Sequence, residues 1–216
     1  MEVLRGEAPT EPVAVPMNGA TYLADLMGGQ KTGLFFDQRP NQAFAQRLAK
    51  DASVLDVFSH VGGFGLAALA AGAVRATCVD GSAAALDLAK GGAVRMDASG
   101  RLETIQSDAF KAMEKMADEG RRFDVVVCDP PAFAPAKPAL DAGLRAYERV
   151  ARLAAPLVAP GGYLVLCSCS HAADLTAFRN ASARGIGRGT RAIQPSMKCF
   201  SHARSAASCT ARPAKC

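Results

Sequence analysis

The sequence contains no uninterrupted apolar run of the roughly 18–20 residues that a membrane helix requires. Its most apolar stretch, Val150–Cys169, is broken by Arg152, Pro156 and Pro160-Gly161-Gly162. No membrane partner is therefore expected. The opening MEVLRGEAPTEPVAVP is acidic and proline-rich and has no apolar core, so no export signal is expected either. Neither a GxGxxG fingerprint nor a Gly-Lys-Ser/Thr phosphate loop occurs, which counts against a pyrophosphate site. No Cys/His pairs show ligand-like spacing, so no metal is expected, and no internal repeat is evident. Cysteine is not scarce. There are seven, an odd number at irregular spacing, which points to reduced thiols in a cytoplasmic protein.

What remains is an ordinary globular composition. Of 216 residues, 50% are hydrophobic and 21% charged, enough for one core and too apolar for general disorder. The net charge of +5 is unevenly placed. Residues 1–184 hold 19 Lys+Arg and 20 Asp+Glu, while 185–216 hold six basic residues and no acidic one. The tail also lacks Leu and Val, contains three of the cysteines, and shows neither helical nor strand periodicity. It reads either as a disordered basic arm for RNA or as a segment foreign to the fold, such as read-through in a shifted frame. A nearly neutral body means that net charge is no argument for nucleic acid.

Residues 1–16 read as an irregular lead-in, and Asn18-Gly19 as a turn opening a hairpin arm over 17–27. Pro40 opens a helix through Ala49. From there, apolar strands at Val54–Phe58, Ala73–Val79, Leu102–Gln106, Phe123–Cys128 and Tyr163–Cys167 alternate with helices. The helices are expected over Phe64–Ala71, from Ser82 to Lys90, Ala109–Glu119, Leu140–Val158 and onward from Asp174. The pattern predicts an α/β fold, an open and mostly parallel sheet with helices on both faces. Ligands in such sheets bind at the carboxyl ends of the strands.

Those ends carry the chemistry. The first strand runs into DVFSHVGGFG, where Gly62 and Gly63 allow a tight turn against a ligand with a helix N-terminus behind them. Asp80 ends the second strand, placed to accept from two ribose hydroxyls, or else to serve as a turn aspartate before Gly81 and Ser82. Asp108, in Ser107-Asp108-Ala109-Phe110, suits an adenine amino group with Phe110 covering the ring, or a helix N-cap, and the two roles can coexist. Asp129-Pro130-Pro131 fixes a carboxylate rigidly at the cleft mouth. In Cys167-Ser168-Cys169-Ser170 the two cysteines share a face, with Cys169 further toward the cleft; Cys78 and Cys128 read as core. Together these features suit a nucleoside cofactor without phosphates, and S-adenosyl-L-methionine fits that description.

The stretches GQKTGLFFDQR, DVFSHVGGFG, CVDGSAAALDLAK, SDAF, FDVVVCDPPAF and GGYLVLCSCS occur in order over about residues 18–183. In this combination the chain resembles the bacterial and archaeal large-subunit ribosomal RNA cytosine-5 methyltransferases, class I enzymes with a Rossmann-like fold. The resemblance implies that Ser59, Gly62, Gly63 and Phe64 shape the methionine side of the cofactor pocket. Asp80 would then hold the ribose, and Asp108 would face the adenine, with Ala109 and Phe110 beside it. The segment containing Lys31, Thr32 and Arg39 would fold over the cofactor. Asp129 and Pro130 would contact cofactor and target base, and Cys169 would be the nucleophile. Ribosomal RNA would be the partner. An amino-group methyltransferase on a base, protein or small molecule, suggested by Asp-Pro-Pro, and a non-catalytic fragment that binds cofactor or RNA are the competing readings. His60 and His171 receive no role.

The chain is expected to divide into a lead-in and cofactor-covering segment at 1–39, a cofactor-binding domain at 40–184 and, set apart by its charge, a basic tail at 185–216. Family members usually begin with a small RNA-binding domain, not evident here, and finish the sheet with a strand hairpin. Residues 185–216 offer no strand pattern, so the hairpin is expected to be missing and the tail disordered.

Overall fold

The computed structural model describes residues 7–29, 33–189, 198–202 and 206–211. It opens with a two-stranded antiparallel hairpin, β1 (Val13–Met17) and β2 (Ala20–Ala24). Asn18 and Gly19 both take left-handed φ, 53° and 74°, the geometry a two-residue hairpin turn demands. The first arm therefore lies inside the expected lead-in. Pro16 is tolerated there because the ladder has only two strands.

After α1 (Arg39–Gln46), strands and helices alternate: β3 (Ser53–Val57), α2 (Gly63–Ala70), β4 (Arg75–Asp80), α3 (Ala83–Arg95) and β5 (Leu102–Gln106). Then follow α4 (Ala109–Asp118), β6 (Phe123–Cys128), α5 (Leu140–Ala154), β7 (Val158–Ser168) and α6 (Leu175–Gly189). Helix α5 is shorter than expected because a 3₁₀ turn at Ala155–Leu157, containing Pro156, takes over. The final strands are β8 (Lys198–His202) and β9 (Ala206–Ala211). One sheet collects seven strands in the order β5-β4-β3-β6-β7-β9-β8, parallel from β5 to β7. Strand β9 pairs antiparallel with both β7 and β8.

The last two strands correct the expected loss of the hairpin and, over 198–202 and 206–211, the expected disorder of the tail; residues 190–197, 203–205 and 212–216 lie outside the described residues. Helix α6 also runs past that boundary to Gly189. KCFSH and AASCTA contain no β-branched aliphatic residue, so hydropathy gives no strand signal there. The ladder needs only backbone donors and acceptors, and β7 supplies an edge for them.

Alternation along the strands sorts the core into two layers. Val54, Val125, Val127, Val165 and Cys167 pack toward the hairpin and α1–α3. Leu55, Val57, Val126, Cys128, Leu164 and Leu166 pack toward α4–α6. Helix α2, GFGLAALA, is apolar on every side and buried from Phe64 to Leu69, as expected for a helix enclosed between sheet and hairpin. Each fully buried Leu or Val contributes about 1.5–3 kcal/mol. Helix α3 continues through Gly91-Gly92, beyond the stop expected at Lys90, because strand β2 lies directly against it. A Cβ on Gly92 would sit 2.7 Å from the Thr21 carbonyl oxygen, and one on Gly91 would strike Leu23.

Sheet order reverses between β3 and β6, since the chain builds outward from β3 to β5 and then returns to add β6 and β7. The crevice at that reversal is where a ligand belongs.

Candidate active site

A cleft of about 560 Å³ opens at the carboxyl ends of the parallel strands, within the usual size for a small-molecule site. Its lining includes Ser59, Gly63, Phe64, Asp80, Asp108, Ala109, Asp129, Pro130 and Cys169. One cavity thus brings together nine of the residues singled out in the sequence.

The loop after β3 forms the floor. Phe58 and His60, neither a glycine, hold left-handed φ of 65° and 50°, and Gly62 follows at 81°. Left-handed backbone costs a residue with a Cβ about 1–2 kcal/mol, so the conformation needs external ties. The Ser59 amide donates to the Val79 carbonyl at 3.0 Å, and the His60 amide donates to Asp80 Oδ2 at 2.8 Å. Asp80 also accepts from the Ser82 amide through Oδ1 at 2.9 Å. It is therefore both a turn aspartate and a wall of the cleft. A carboxylate has about four acceptor sites, so two remain for a ligand.

Beneath the glycines lies Asp56, completely buried, accepting from the Phe64 and Gly65 amides at 3.0 and 2.8 Å. Its second oxygen has no hydrogen-bond partner. Burial pushes the carboxyl up to about 7, against the opposing pull of the two amides. The Tyr22 hydroxyl reaches across from the hairpin to the Gly63 carbonyl at 2.9 Å, and burial raises that phenol as well.

Asp108 caps α4 by accepting from the Lys111 amide at 3.0 Å, and its exposed carboxylate borders the cleft. The Asp129 amide donates to the Val57 carbonyl at 3.2 Å, which places the residue on the crevice between β6 and β3. Gln38 Nε2 donates to Asp129 Oδ1 at 3.0 Å, and Asn41 Nδ2 donates to Gln38 Oε1 at 2.6 Å. Residues 125, 127 and 129 fall on the same side of the sheet as 165, 167 and 169. Asp129 and Cys169 therefore leave neighbouring strands toward one cavity.

Three residues expected at the site are not among those that line the cleft. Phe110 does not line the cleft: its ring packs edge-on to Phe58 at 6.1 Å and lies near Phe133 at 6.4 Å, under the Arg149 guanidinium at 4.5 Å. Arg39 is exposed at the start of α1 and contributes its carbonyl to Asn18 Nδ2 at 2.9 Å. Its neighbour Gln38 is the one that turns inward. Gly62 shapes the turn beneath Leu66 and Ala89 without facing the cavity. Lys31 and Thr32 lie outside the described residues.

Gln38, Gln42, Tyr22, Asp56 and His60 belong to the site without a role expected from the sequence. His60 lines the cleft, with Phe35 edge-on at 5.2 Å, and burial lowers its pKa toward the neutral ring. Gln38 and Gln42 share a face of one helical turn with Asn41, and all three are buried. A polar i, i+3, i+4 cluster beside an aromatic pair was the available signal.

The residues can be tested against a methionine-linked nucleoside. Gln42 is 4% exposed, lines the cleft, and its Oε1 has no partner. A buried carbonyl left without a donor carries a desolvation cost of about 1–3 kcal/mol. An ammonium entering beside Gly63 would satisfy it. Asp80 and Asp108 offer further acceptors at successive strand ends, and Leu34, Phe64 and Leu88 supply apolar walls between them. The donor set fits.

Residues 1–186 match the family described as S-adenosylmethionine-dependent methyltransferase. The chain belongs to the S-adenosylmethionine-dependent methyltransferase family. Among curated relatives, the ribosomal RNA large subunit methyltransferase I of Vibrio vulnificus strain YJ016 is 40% identical over 180 residues. The protein of the same name from Vibrio cholerae strain N16961 is 42% identical over 180. Each alignment covers 82% of this chain, and the chain spans 45% of the length of each relative. The solved structure of SMU.776 complexed with SAH is similar in fold, with a TM-score of 0.82 at 20% identity, covering 97% of this chain and 58% of that one. The methyltransferase family's cofactor is S-adenosylmethionine, the ligand the cleft's donor set suits. Among the described residues, no group of His, Cys, Asp and Glu is arranged to hold a metal ion, and no helix is long and apolar enough to cross a membrane.

Proposed function

We propose that this chain is the catalytic domain of a cytoplasmic methyltransferase that modifies carbon 5 of a cytosine in large-subunit ribosomal RNA. The observation that carries the reading is the sharing of one cleft by Cys169 and Asp129. Cys78, Cys128 and Cys167 are buried, and burial raises all three thiols, whereas Cys169 is partly exposed. The names of the large-subunit relatives support ribosomal RNA as the substrate class.

In this role Gln42, Ser59 and Gly63 would hold the methionine portion of the cofactor, Asp80 the ribose, and Asp108 the adenine edge. When bound, the cofactor's sulfonium supplies an electrophilic methyl group. Carbon 5 of cytosine is a weak nucleophile, and the protein's task is to activate it. The Cys169 thiolate adds to carbon 6, forming a C–S bond and moving the ring electrons toward nitrogen 3, where Asp129 supplies a proton or hydrogen bond. Carbon 5 is then an enamine carbon able to take the methyl. Loss of the carbon-5 proton to solvent base returns electrons to the ring, breaks the C–S bond and releases the thiolate. Gln38, backed by Asn41, orients the Asp129 carboxyl throughout.

Cys169→Ala is expected to abolish methyl transfer to transcribed large-subunit ribosomal RNA, a loss of at least 10³-fold, while S-adenosylmethionine still binds in calorimetry. Unchanged transfer in that variant would sink the adduct mechanism and favour transfer to an amino group, which needs no thiol.

A further inference from the structure

The two serines beside Cys169 converge on one buried phenol. Ser168 Oγ donates to the Tyr147 hydroxyl at 2.9 Å, and the Tyr147 hydroxyl lies 2.6 Å from Ser170 Oγ. Tyr147 Oη thus accepts from Ser168 and shares a second hydrogen bond with Ser170, in which either hydroxyl can donate. Ser170 Oγ also accepts the Ala134 amide at 2.9 Å, and the Ser170 amide returns to Ser168 Oγ at 3.3 Å. The Ala172 amide donates to the Ala134 carbonyl at 3.3 Å. All three side chains are buried.

This network joins three elements that the chain delivers separately. Tyr147 comes from the middle of α5, the serines from the end of β7, and Ala134 from the loop that continues Asp129-Pro130-Pro131. Tyr147's own position is fixed by rings on both sides, Phe133 at 5.0 Å and Phe178 at 5.0 Å, each edge-on. A phenol packed in this way has little rotational freedom, so its hydroxyl is a rigid anchor. Ser-Cys-Ser then reads as two hydrogen-bonding feet with a thiol between them. Alternation sends the feet toward α5 and leaves Cys169 facing the cleft.

We propose that Tyr147 is a positioning residue for the Cys169 thiol, holding both flanking serines so that the strand end carrying the cysteine is locked to the loop after Asp129. Tyr147 is 2% exposed and does not line the cleft. It acts through Ser168 and Ser170. The inference rests on the reading of Cys169 as the nucleophile, but its test does not need RNA.

The probe is iodoacetamide, with alkylation at Cys169 followed by peptide mass spectrometry across pH 6–9 in the full chain. Tyr147→Phe keeps the ring between Phe133 and Phe178 and removes only the hydroxyl. Cys169 in that variant is expected to alkylate at least threefold faster at pH 7, with a changed pH profile, while affinity for S-adenosylhomocysteine stays within twofold. Ser168→Ala should reproduce the change, and Ser168→Thr, which keeps a donor hydroxyl, should restore the native rate. Native alkylation rates and profiles in both Tyr147→Phe and Ser168→Ala would overturn the inference. If Tyr147→Phe does not fold, the Ser168→Ala and Ser168→Thr pair decides by the same criterion. Failure of the nucleophile reading shows up separately, as undiminished methyl transfer by Cys169→Ala.

Discussion

Asp56 sits where water does not reach, with one carboxylate oxygen on two helix amides and the other without a partner. Its pKa near 7 in the fold, against 3.8 ordinarily, has a definite thermodynamic sign. Between those values the native state holds a proton that the unfolded chain has released, so the stabilisation is complete below about pH 4 and is lost as pH rises through 7. Three units correspond to at most about 4 kcal/mol. Asp56→Asn keeps an acceptor for the Phe64 and Gly65 amides and cannot ionise. Its urea-unfolding free energy should fall less steeply from pH 4 to 7 than that of the native protein, whose contribution from this group declines there. A variant that declined as steeply as the native chain would assign the pH dependence to another group.

The elements of the fold were unequally legible. Strands β5 and β6 begin and end where the sequence places them: FDVVVC of β6 is a compact apolar run, and LETIQ of β5 is a short segment set between Gly100-Arg101 and Ser107-Asp108. Strand β1 was hidden by Pro16 and by the exposure of Val13 and Ala14. Strands β8 and β9 are not legible because KCFSH and AASCTA contain no Val, Ile or Leu and show no alternating apolar pattern. Helix α3 outruns the end expected at Lys90, and the reason its glycine pair stays in the helix is visible only in three dimensions. Strand β2 comes so close that Gly92 has no room for a methyl group. Gly92→Ala should therefore cost about 1–3 kcal/mol through overpacking, despite alanine's better helix propensity. Thermal melting would show a drop of several degrees. Gly100→Ala, where nothing lies within 4 Å, should leave the midpoint within a degree or two.

At the scale of the whole molecule, the strand-end residues were readable because a parallel sheet sends every carboxyl end to the same side. Their supports were not. Gln38 reaches Asp129 across 91 positions, and Tyr147 reaches Ser168 across 21, and neither pairing leaves a periodic mark in the sequence. Arg39 and Phe110 were misplaced for the related reason that a motif identifies a segment, while packing decides which of its side chains turns inward.

The central place of β3 in the sheet also sets an order in time. Val54 pairs with Ala76 of β4 after closing 22 residues, but with Val125 of β6 only after closing 71. The longer closure carries about 1 kcal/mol more entropy loss, and non-local pairing slows folding. The half of the cleft holding the glycine turn and Asp80 is thus expected to assemble first, and the half holding Asp129 and Cys169 to dock onto it. Pulse-labelled hydrogen exchange during refolding would test this: amides of Cys78 and Val79 should gain protection before those of Val126 and Val127, and simultaneous protection would refute a stepwise order. A chain emerging from its synthesis would then be built to grip a nucleoside before it acquires the thiol.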